Sequence, residues 1–390
     1  MVQGLLVAIA LAIVLSLLGP PTRDLLLVEP MREYAVWRSR GTGNVTPPVQ
    51  SSPPRVVLMV HIFAWRRTKA LRRLWDSLVR AGSEFMDDDG DVDLRLVVHV
   101  DGGALPAVVD MVETELVLAW PAAWGPMRVD VVTAGGNMGL EKAIMRGVGQ
   151  TAGHEAMALV LEDDLEVSPQ LFRYARWCRQ HWAGVGRRDD MLFGYALHTP
   201  RADELSIKGN ESTVPWRPSD VLPVDRSQQA VFAMQVPCSW GFIVPMQRWN
   251  AFAAYYSHRT TSTNSRTASF PSKSHAWAKS WKKYLVEWMV HRGLFEIYLN
   301  LPDEASIVTN HYETGVHSFA AWHEPVIPDS LRPDRDLRFN VPLVQSASEL
   351  DAVLFSSASA GNDLVVVDWT HSLSSRDALQ RSATDGCSRN

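Results

Sequence analysis

The chain has 390 residues, of which 46% are hydrophobic and 21% charged, and this balance excludes a disordered or collagen-like protein. The formal net charge of -5 argues against a nucleic-acid polymer as partner, because binding many phosphates requires an excess of positive charge. Three cysteines without a Cys-x-x-Cys pair exclude a disulfide scaffold. Cys178 and Cys238 could still form one disulfide in an oxidising compartment.

The first 19 residues contain one apolar segment. Residues 4–19 carry no charged side chain, and this length is at the short limit of the ~17–25 residues that a membrane-spanning helix needs. The segment is either a signal anchor, with the bulk of the chain in the lumen, or a cleaved signal peptide. Residues 20–54 are rich in Pro and Ser and are predicted to form a semi-rigid stem.

Apolar strands and amphipathic helices alternate after the stem. The hydrophobic pattern predicts strands at 56–63, 94–100, 129–132 and 156–161, and helices at 69–81, 108–120 and 139–148. Strands and helices in regular succession imply right-handed crossovers and a mainly parallel sheet. The fold class expected from this pattern is α/β.

Polar side chains follow each of the four predicted strands. Arg66 and Arg67 follow the first strand, Asp101 the second, Asn137 the third, and the acidic triplet 162–164 the fourth. Ligands of parallel sheets bind beyond the carboxyl ends of the strands. We therefore expect a binding site at this edge of the sheet.

The acidic triplet is Glu162, Asp163 and Asp164. Three neighbouring carboxylates at the end of an apolar strand repel one another, and a divalent cation would relieve the repulsion. Oxygen ligands suit Mn²⁺ or Mg²⁺, which often share their coordination with substrate phosphates. The alternative is a solvated acidic turn before a helix that starts at Ser168 and Pro169.

Taken together, the order of these strand-end residues resembles the nucleotide-sugar-dependent glycosyltransferases of the GT-A fold. Within that fold, residues 160–172 (VLEDDLEVSPQLF) are similar to the family of N-acetylglucosaminyltransferase I and the protein O-mannose N-acetylglucosaminyltransferases, and more loosely to family-2-type transferases. The resemblance implies a GT-A catalytic domain with a metal-bound UDP-sugar.

The resemblance assigns roles to the strand-end residues. Asp164 would contact the metal ion, and Asp101 would occupy the place of the acid that contacts uridine. The residues that the resemblance implies for nucleotide-sugar binding are Arg67, Asp101, Asn137, Gly139, Glu162 and Asp163.

Three later segments also resemble the family. Residues 237–242 (PCSWGF) look like a segment that lines the sugar and acceptor pocket, which would place Trp240 and Gly241 there. Glu287-Trp288-Met289 resembles an Asp-Trp-Met element whose acid is the catalytic base, with Trp288 beside the pocket. His317 belongs to a segment similar to a Gly-Val-x-His element and would be a second metal contact.

The sequence departs from the family's pattern in three places. Residue 287 is Glu where the family has Asp, His317 lies one residue closer to its Gly-Val, and residues 255–274 form an insert. Alternatives remain for the later residues: Glu287 as a surface carboxylate near Lys282 or Lys283, Trp288 as a core residue, and His317 as a structural histidine. The tryptophans expected to stack on sugar rings are Trp240, Trp249, Trp281 and Trp288.

After residue 328 a new pattern begins. It predicts a strand at 340–344, a helix at 346–357 and a strand at 364–368. The last strand resembles the second strand of thioredoxin-like domains, but Ser374-Ser375-Arg376-Asp377 stands where those have Cys-x-x-Cys. A β-α-β extension without redox chemistry is the other interpretation.

The sequence thus predicts a membrane anchor or signal peptide (1–19), a stem (20–54), a GT-A catalytic domain (55–328) and a C-terminal extension (329–390). The expected activity is inverting transfer of a sugar, such as N-acetylglucosamine, from UDP to a hydroxyl of a glycan or glycoprotein, with Mn²⁺ or Mg²⁺ as cofactor. The expected location is the Golgi or endoplasmic-reticulum membrane, with a luminal catalytic domain. The alternatives are an inactive glycan-binding module and a sugar-nucleotide nucleotidyltransferase.

Overall fold

The computed structural model describes residues 57–86, 93–121, 127–131, 136–151, 156–201, 216–222, 231–261, 279–311, 340–357 and 364–387. The apolar N-terminal segment, the stem, residues 262–274 of the insert and His317 lie outside these described residues. Within the described ranges, no helix is long and apolar enough to cross a membrane.

Strands make up the centre of the fold. The described residues form β1 (Val57–Ala64), β2 (Asp93–Val100), β3 (Met127–Val131), β4 (Met157–Glu162), β5 (Leu165–Val167), β6 (Leu192–Ala196), β7 (Val231–Met234), β8 (Phe242–Pro245), β9 (Phe295–Leu299), β10 (Val308–Asn310), β11 (Val366–Val367) and β12 (Leu373–Ser374).

Helices connect and cover the strands. They are α1 (Thr68–Met86), α2 (Pro106–Asp110 continuing through a π-helical part, Met111–Leu116, into Val117–Ala119), α3 (Leu140–Gly149), α4 (Leu171–Gly184), α5 (Met246–Thr261), α6 (Lys282–Arg292), α7 (Ala347–Ser357) and α8 (Arg376–Cys387).

Ten of the described strands form one mixed sheet in the order β12-β11-β7-β9-β6-β8-β4-β1-β2-β3. The region β4-β1-β2-β3 is parallel throughout. Strand β8 runs antiparallel between β4 and β6, and β7 runs antiparallel to β9. The α/β prediction is confirmed, and the carboxyl ends of β1, β2 and β4 meet at one edge as expected.

Helices cover both faces of the sheet, which explains the continuous apolar strands. On one face, α1 packs through Leu71, Leu74 and Leu78, each fully buried. On the other face, α3, α5 and α6 pack around Trp249 and Phe252. Burying one such side chain stabilises the fold by ~1.5–3 kcal/mol, so strands buried on both faces carry mainly apolar residues.

The C-terminal segment joins the main sheet. The helix predicted at 346–357 is α7, and the strand predicted at 364–368 is the shorter β11, which pairs in parallel with β7. The strand predicted at 340–344 is wrong, since only Leu343 forms a bridge there, to Ser306. At β11 the segment therefore adds to the same ten-stranded sheet as β1 to β4.

Cys178 and Cys238 are free thiols in this structure. Cys178 lies on α4 and Cys238 follows β7, and both are buried and free. The disulfide that the sequence left open is not formed in this structure.

Candidate functional site

The ends of β1 and β4 are joined by an arginine. Arg67 donates from one guanidinium nitrogen to Asp164 Oδ2 (2.8 Å) and from the other to Asp163 Oδ1. The backbone N–H of Asp163 continues the strand ladder by donating to the Phe63 carbonyl oxygen (3.1 Å). The structure thus brings together three of the residues predicted to bind the nucleotide sugar or the metal ion.

Charge at this edge is unevenly balanced, because three carboxylates face one guanidinium. Burial raises the pKa of Asp163 to about 6, although Arg67 opposes this shift. Burial, and then the charge of Asp164, raises the pKa of Glu162 well above its ordinary value. Burial would lower the pKa of Arg67, but the charges of Asp163 and Asp164 outweigh it and raise that pKa. The site is therefore acidic and stabilises added positive charge.

One oxygen of the triplet has no hydrogen-bond partner in the part of the chain that the structure describes. Asp164 Oδ1 is buried and accepts no hydrogen bond from the described residues. Because a buried, unsatisfied acceptor is costly, this atom is suited to bind a cation or a donor supplied from outside the chain.

The described residues fit a cation that shares its coordination with a ligand. No group of three or more His, Cys, Asp or Glu side chains in the described ranges could by itself hold a metal ion. Magnesium is usually bound through one or two carboxylates together with substrate phosphates, and Asp164 Oδ1 can supply one such contact. His317, the other predicted metal contact, lies outside the described residues.

Asp101, at the end of β2, holds the loop before α3. Its Oδ1 accepts hydrogen bonds from the backbone N–H groups of Gly102 (2.7 Å) and Met138 (3.0 Å), and its Oδ2 accepts one from Gly139 (2.9 Å). Asn137 Oδ1 also accepts from the Gly139 N–H (2.6 Å). The predicted nucleotide residues Asp101, Asn137 and Gly139 therefore lie together, with Asp101 organising the loop.

Glycine is required where these two loops meet. An ideal Cβ at Gly102 would lie 2.1 Å from the carbonyl oxygen of Gly136. Gly136 and Gly139 have φ of +80° and +84°, a region that side-chain-bearing residues rarely adopt. The Gly-rich sequence before α3 is thus explained by the close approach of the β2 and β3 loops.

Trp65 and Arg66 were not identified from the sequence as a pair. The Arg66 guanidinium lies 4.1 Å from the centre of the Trp65 ring, and the Trp65 indole N–H donates to the Gly102 carbonyl oxygen (3.2 Å). Their position directly after β1 is the signal that could have found them. They add a flat, positively charged surface next to the Asp101 loop.

The predicted sugar-pocket residues divide into two groups. Trp240 is half-buried and precedes Gly241, whose φ is +90°, at the start of β8. Trp249 has no exposed surface and packs against Phe242 and Phe252, so its predicted sugar-stacking role is wrong.

Two further predicted tryptophans are almost fully buried on the same face of the sheet. Trp281 is 4% exposed and Trp288 is 6% exposed. Trp288 packs edge-on against Phe193, with ring centroids 5.7 Å apart. These are the contacts of core residues, and the pocket role of Trp288 stays a prediction.

Glu287 lies in the interior, between α5 and α6. It is 4% exposed, so its interpretation as a surface carboxylate is wrong. Arg259 Nε donates to Glu287 Oε1 (2.8 Å), and an Arg259 terminal nitrogen donates to Oε2 (3.4 Å). These contacts support a structural ion pair, and the role of catalytic base stays a prediction.

Sequence reasoning missed two buried titratable residues near Trp240. His198 follows β6 and is 2% exposed, and Glu296 lies within β9 and is fully buried. Burial lowers the pKa of His198 to about 3 and raises the pKa of Glu296 to about 8. A single acid within the apolar segment 294–299 was the signal for Glu296.

Comparisons with known proteins give weak likenesses. No protein-family model matches the chain, and no curated protein matches it. A 4-diphosphocytidyl-2C-methyl-D-erythritol synthase from Anaerococcus prevotii is similar over 60% of this chain and 84% of its own, with 11% identity and a TM-score of 0.32.

Two other solved structures are similar over a comparable part of this chain. TarS from S. aureus matches over 63% of this chain and 37% of its own, with 13% identity and a TM-score of 0.31. The glycosyltransferase GlyE from Streptococcus pneumoniae matches over 62% and 44%, with 10% identity and a TM-score of 0.27. This chain thus spans less than half the length of TarS or GlyE, and the functional argument rests on the site itself.

Proposed function

We propose that this chain is a metal-dependent glycosyltransferase that moves a sugar from a UDP-sugar to a hydroxyl group of a glycan or glycoprotein. The observation that carries the proposal is the acidic triplet, with Asp164 Oδ1 buried and without a hydrogen-bond partner among the described residues. The Asp101 loop and the Trp65–Arg66 pair lie at the same edge of the sheet, where they can contact a nucleotide.

The residues of the chain would have distinct tasks in this reaction. Arg67 holds Asp163 and Asp164 in place through its two ion pairs, so that Asp164 Oδ1 keeps one orientation. A bound Mn²⁺ or Mg²⁺ would offset the charge that develops on the diphosphate leaving group. The Asp101 loop presents Asn137, which is exposed, next to this position.

Transfer also needs a base that takes the proton of the acceptor hydroxyl. General-base assistance contributes ~10²–10⁴ in rate, and the family resemblance gives this role to Glu287. The burial of Glu287 against Arg259 supports a structural role instead. The proposal therefore depends on the triplet and leaves the base to be identified by experiment.

The location of the enzyme is a further part of the proposal. The apolar residues 4–19 and the Pro- and Ser-rich stem support a luminal enzyme held at the Golgi or endoplasmic-reticulum membrane. N-acetylglucosamine is the donor sugar that the family resemblance favours.

The test is calorimetric binding of UDP and of several UDP-sugars to the full chain, with and without Mn²⁺, followed by measurement of UDP release. In the wild type we expect binding that requires Mn²⁺. Asp164→Asn should reduce UDP release by about 10²–10³-fold, because it removes one charge that holds the cation. Asp110→Asn, an exposed change of the same type on α2, is the matched control and should change nothing.

Other results would contradict the proposal. Equal UDP binding with and without Mn²⁺, and in Asp164→Asn, would exclude the metal-dependent site. Release of pyrophosphate from a nucleoside triphosphate and a sugar phosphate would identify a nucleotidyltransferase. Metal-independent glycan binding without turnover would identify a glycan-binding module.

A further inference from the structure

The start of β8 lies between the acidic triplet and the end of β6. The register of β8 pairs Phe242 with Val160 of β4 on one side and with Ala196 of β6 on the other. Because Val160 and Ala196 are thus level across β8, Glu162 and His198, two residues further along each chain segment, lie at the same edge of the sheet. The Leu197 N–H donates to the Gly241 carbonyl oxygen (3.1 Å), which shows that the ladder with β6 does continue.

His198 and Trp240 are in direct contact. Their ring centroids are 4.9 Å apart, and the rings meet at 67°. His198 is almost fully buried, whereas Trp240 is half-buried. The two rings therefore form an aromatic pair, the His198–Trp240 pair, at the edge of the sheet that carries the triplet, and Trp240 is its more exposed member.

The hydrogen bonds of His198 determine its tautomer. Its Nδ1 lies 3.3 Å from the carbonyl oxygen of Val308. Because a carbonyl oxygen only accepts, Nδ1 must carry the hydrogen, and in the neutral ring Nε2 carries a lone pair. Burial keeps this ring neutral at physiological pH by lowering the pKa of His198 to about 3.

The Nε2 lone pair is unsatisfied. Nε2 is buried and has no hydrogen-bond partner among the described residues. A buried acceptor left without a donor costs ~1–3 kcal/mol, which a ligand with a suitable donor would recover. Among the described residues of this edge, His198 Nε2 is thus suited to a hydrogen-bond donor of a ligand, whereas Asp164 Oδ1 is suited to a cation.

The segment that carries Trp240 is held from inside the sheet. Glu296 Oε2 accepts a hydrogen bond from the Cys238 N–H (2.9 Å), and the Tyr298 hydroxyl donates to the Val236 carbonyl oxygen (2.6 Å). Both contacts come from β9. They fix the backbone just before Trp240. The position of Trp240 is therefore supported by strand β9 and does not depend on its own loop alone.

We propose that His198 is a specificity-determining residue, whose Nε2 accepts a hydrogen bond from a hydroxyl or amide N–H of the donor sugar while Trp240 covers the sugar ring. This inference rests on the proposed function and adds to it the group that distinguishes one donor sugar from another. Since Nε2 is buried, the sugar reaches it when the half-buried Trp240 side chain shifts.

The test compares donor preference in His198→Phe and His198→Gln with that of the wild type. The donors are UDP-N-acetylglucosamine, UDP-N-acetylgalactosamine, UDP-glucose and UDP-galactose, and kcat/KM is measured for each with Mn²⁺. His198→Phe keeps a ring and removes the acceptor, so kcat/KM for the preferred donor should fall about 10–100-fold relative to the others. His198→Gln retains an acceptor and should restore part of the preference.

Affinity for UDP alone separates this inference from the proposed function. UDP lacks the sugar, so its Kd with Mn²⁺ should be the same in wild type and His198→Phe. Unchanged donor preference in a His198→Phe variant that still binds UDP would overturn the role of His198 and leave the transferase intact. If the wild type does not bind UDP with Mn²⁺, both proposals fail.

A second variant keeps the inference testable if His198→Phe does not fold. If thermal unfolding shows that His198→Phe is not folded, Trp240→Phe tests the other member of the His198–Trp240 pair. This change should also alter the ratio of kcat/KM values among the four donors without changing the Kd for UDP. An unchanged ratio would overturn the inference.

Discussion

Two arginine–carboxylate groups in this molecule differ in their balance of charge. At the sheet edge, Arg67 faces three carboxylates, and Asp164 Oδ1 is left without a partner among the described residues. Between α5 and α6, Arg259 contacts both oxygens of the one carboxylate Glu287, and the Tyr255 side chain hydrogen-bonds to this pair. The first group has capacity for an external cation, whereas the second is internally satisfied.

The difference gives a criterion that separates the proposed binding site from a structural ion pair. Burial alone does not separate them, since Asp163 is 2% exposed and Glu287 is 4% exposed. The distinguishing property is an excess of carboxylates where strands end, which raises the pKa values of Glu162 and Asp163 and which a bound cation would relieve. Three predictions test this comparison.

The largest effect is expected for Glu287→Gln. Removing one partner of a buried ion pair leaves the other charge uncompensated, so the free energy of unfolding should fall by about 3–5 kcal/mol. Turnover per folded molecule should stay within about tenfold of the wild type, since the comparison assigns no catalytic step to this residue. Chemical denaturation and UDP release from a UDP-sugar provide the two measurements.

A double variant is the control for this first prediction. Replacing both partners, as Glu287→Leu with Arg259→Met, should recover much of the lost stability, because no unpaired charge then remains. If Glu287→Gln instead has normal stability and a kcat reduced by about 10²–10⁴, Glu287 is the catalytic base. Its assignment to a structural ion pair is then wrong.

An intermediate effect is expected for Gly102→Ala, at the charged edge. The new Cβ would overlap the Gly136 carbonyl oxygen, at 2.1 Å, so the loops must separate at a cost of about 1–3 kcal/mol. UDP affinity should fall together with stability. In Gly149→Ala, the matched control, the Cβ meets nothing within 4 Å, and the change should be neutral or stabilising by about 0.4–1 kcal/mol. Equal behaviour of the two variants would show that the loop contact is not required.

The smallest effect is expected for a buried pair of histidines, His61 and His99, and it concerns the pH dependence of stability. His61 Nδ1 lies 2.9 Å from His99 Nε2, and burial, followed by the charge of His99, lowers the pKa of His61 well below 6.5. Below pH 6.5, His61 therefore binds a proton in the unfolded chain but not in the folded chain. The free energy of unfolding should fall with decreasing pH by up to about 1.4 kcal/mol per pH unit from this group.

The check is denaturation between pH 7.5 and pH 5. His61→Gln should make the acid-side loss of stability smaller than in the wild type, whereas His258→Gln, at an exposed position, should not. The pKa values of His181 and His198 are also lowered, so the informative quantity is the difference between variants. Identical pH dependence in all three proteins would exclude His61 as a contributor.

The parallel part of the sheet was predictable because its signals are local. The strand expected at 56–63 is found at Val57–Ala64, and the one expected at 156–161 at Met157–Glu162. Both are buried on two faces, which produces a continuous apolar run in the sequence itself. Polar residues at their ends then indicated the site without any knowledge of three-dimensional contacts.

Other features depend on contacts that the sequence does not encode locally. Strand β8 pairs with β4 about 85 positions away, and because it also pairs with β6 it brings the end of β6 to the edge that carries the triplet. Trp249 and Trp240 are equivalent in a sequence, but packing buries the first and leaves the second half-exposed. The sequence shows Glu296 as an isolated acid in an apolar segment. It does not show that the backbone N–H of Cys238, 58 positions earlier, donates a hydrogen bond to it.

The pairing of β11 with β7 has a consequence for synthesis of the chain. Gln235, next to β7, binds the backbone N–H of Trp369, next to β11, across 134 positions. At 5–20 residues per second, the edge of β7 stays open for on the order of 10 s before β11 is available. During that interval β7 presents unpaired backbone groups, the type of edge through which chains aggregate. A ribosome that stalls late in this interval would release a chain that already has the acidic triplet but whose sheet is still open to other chains at β7.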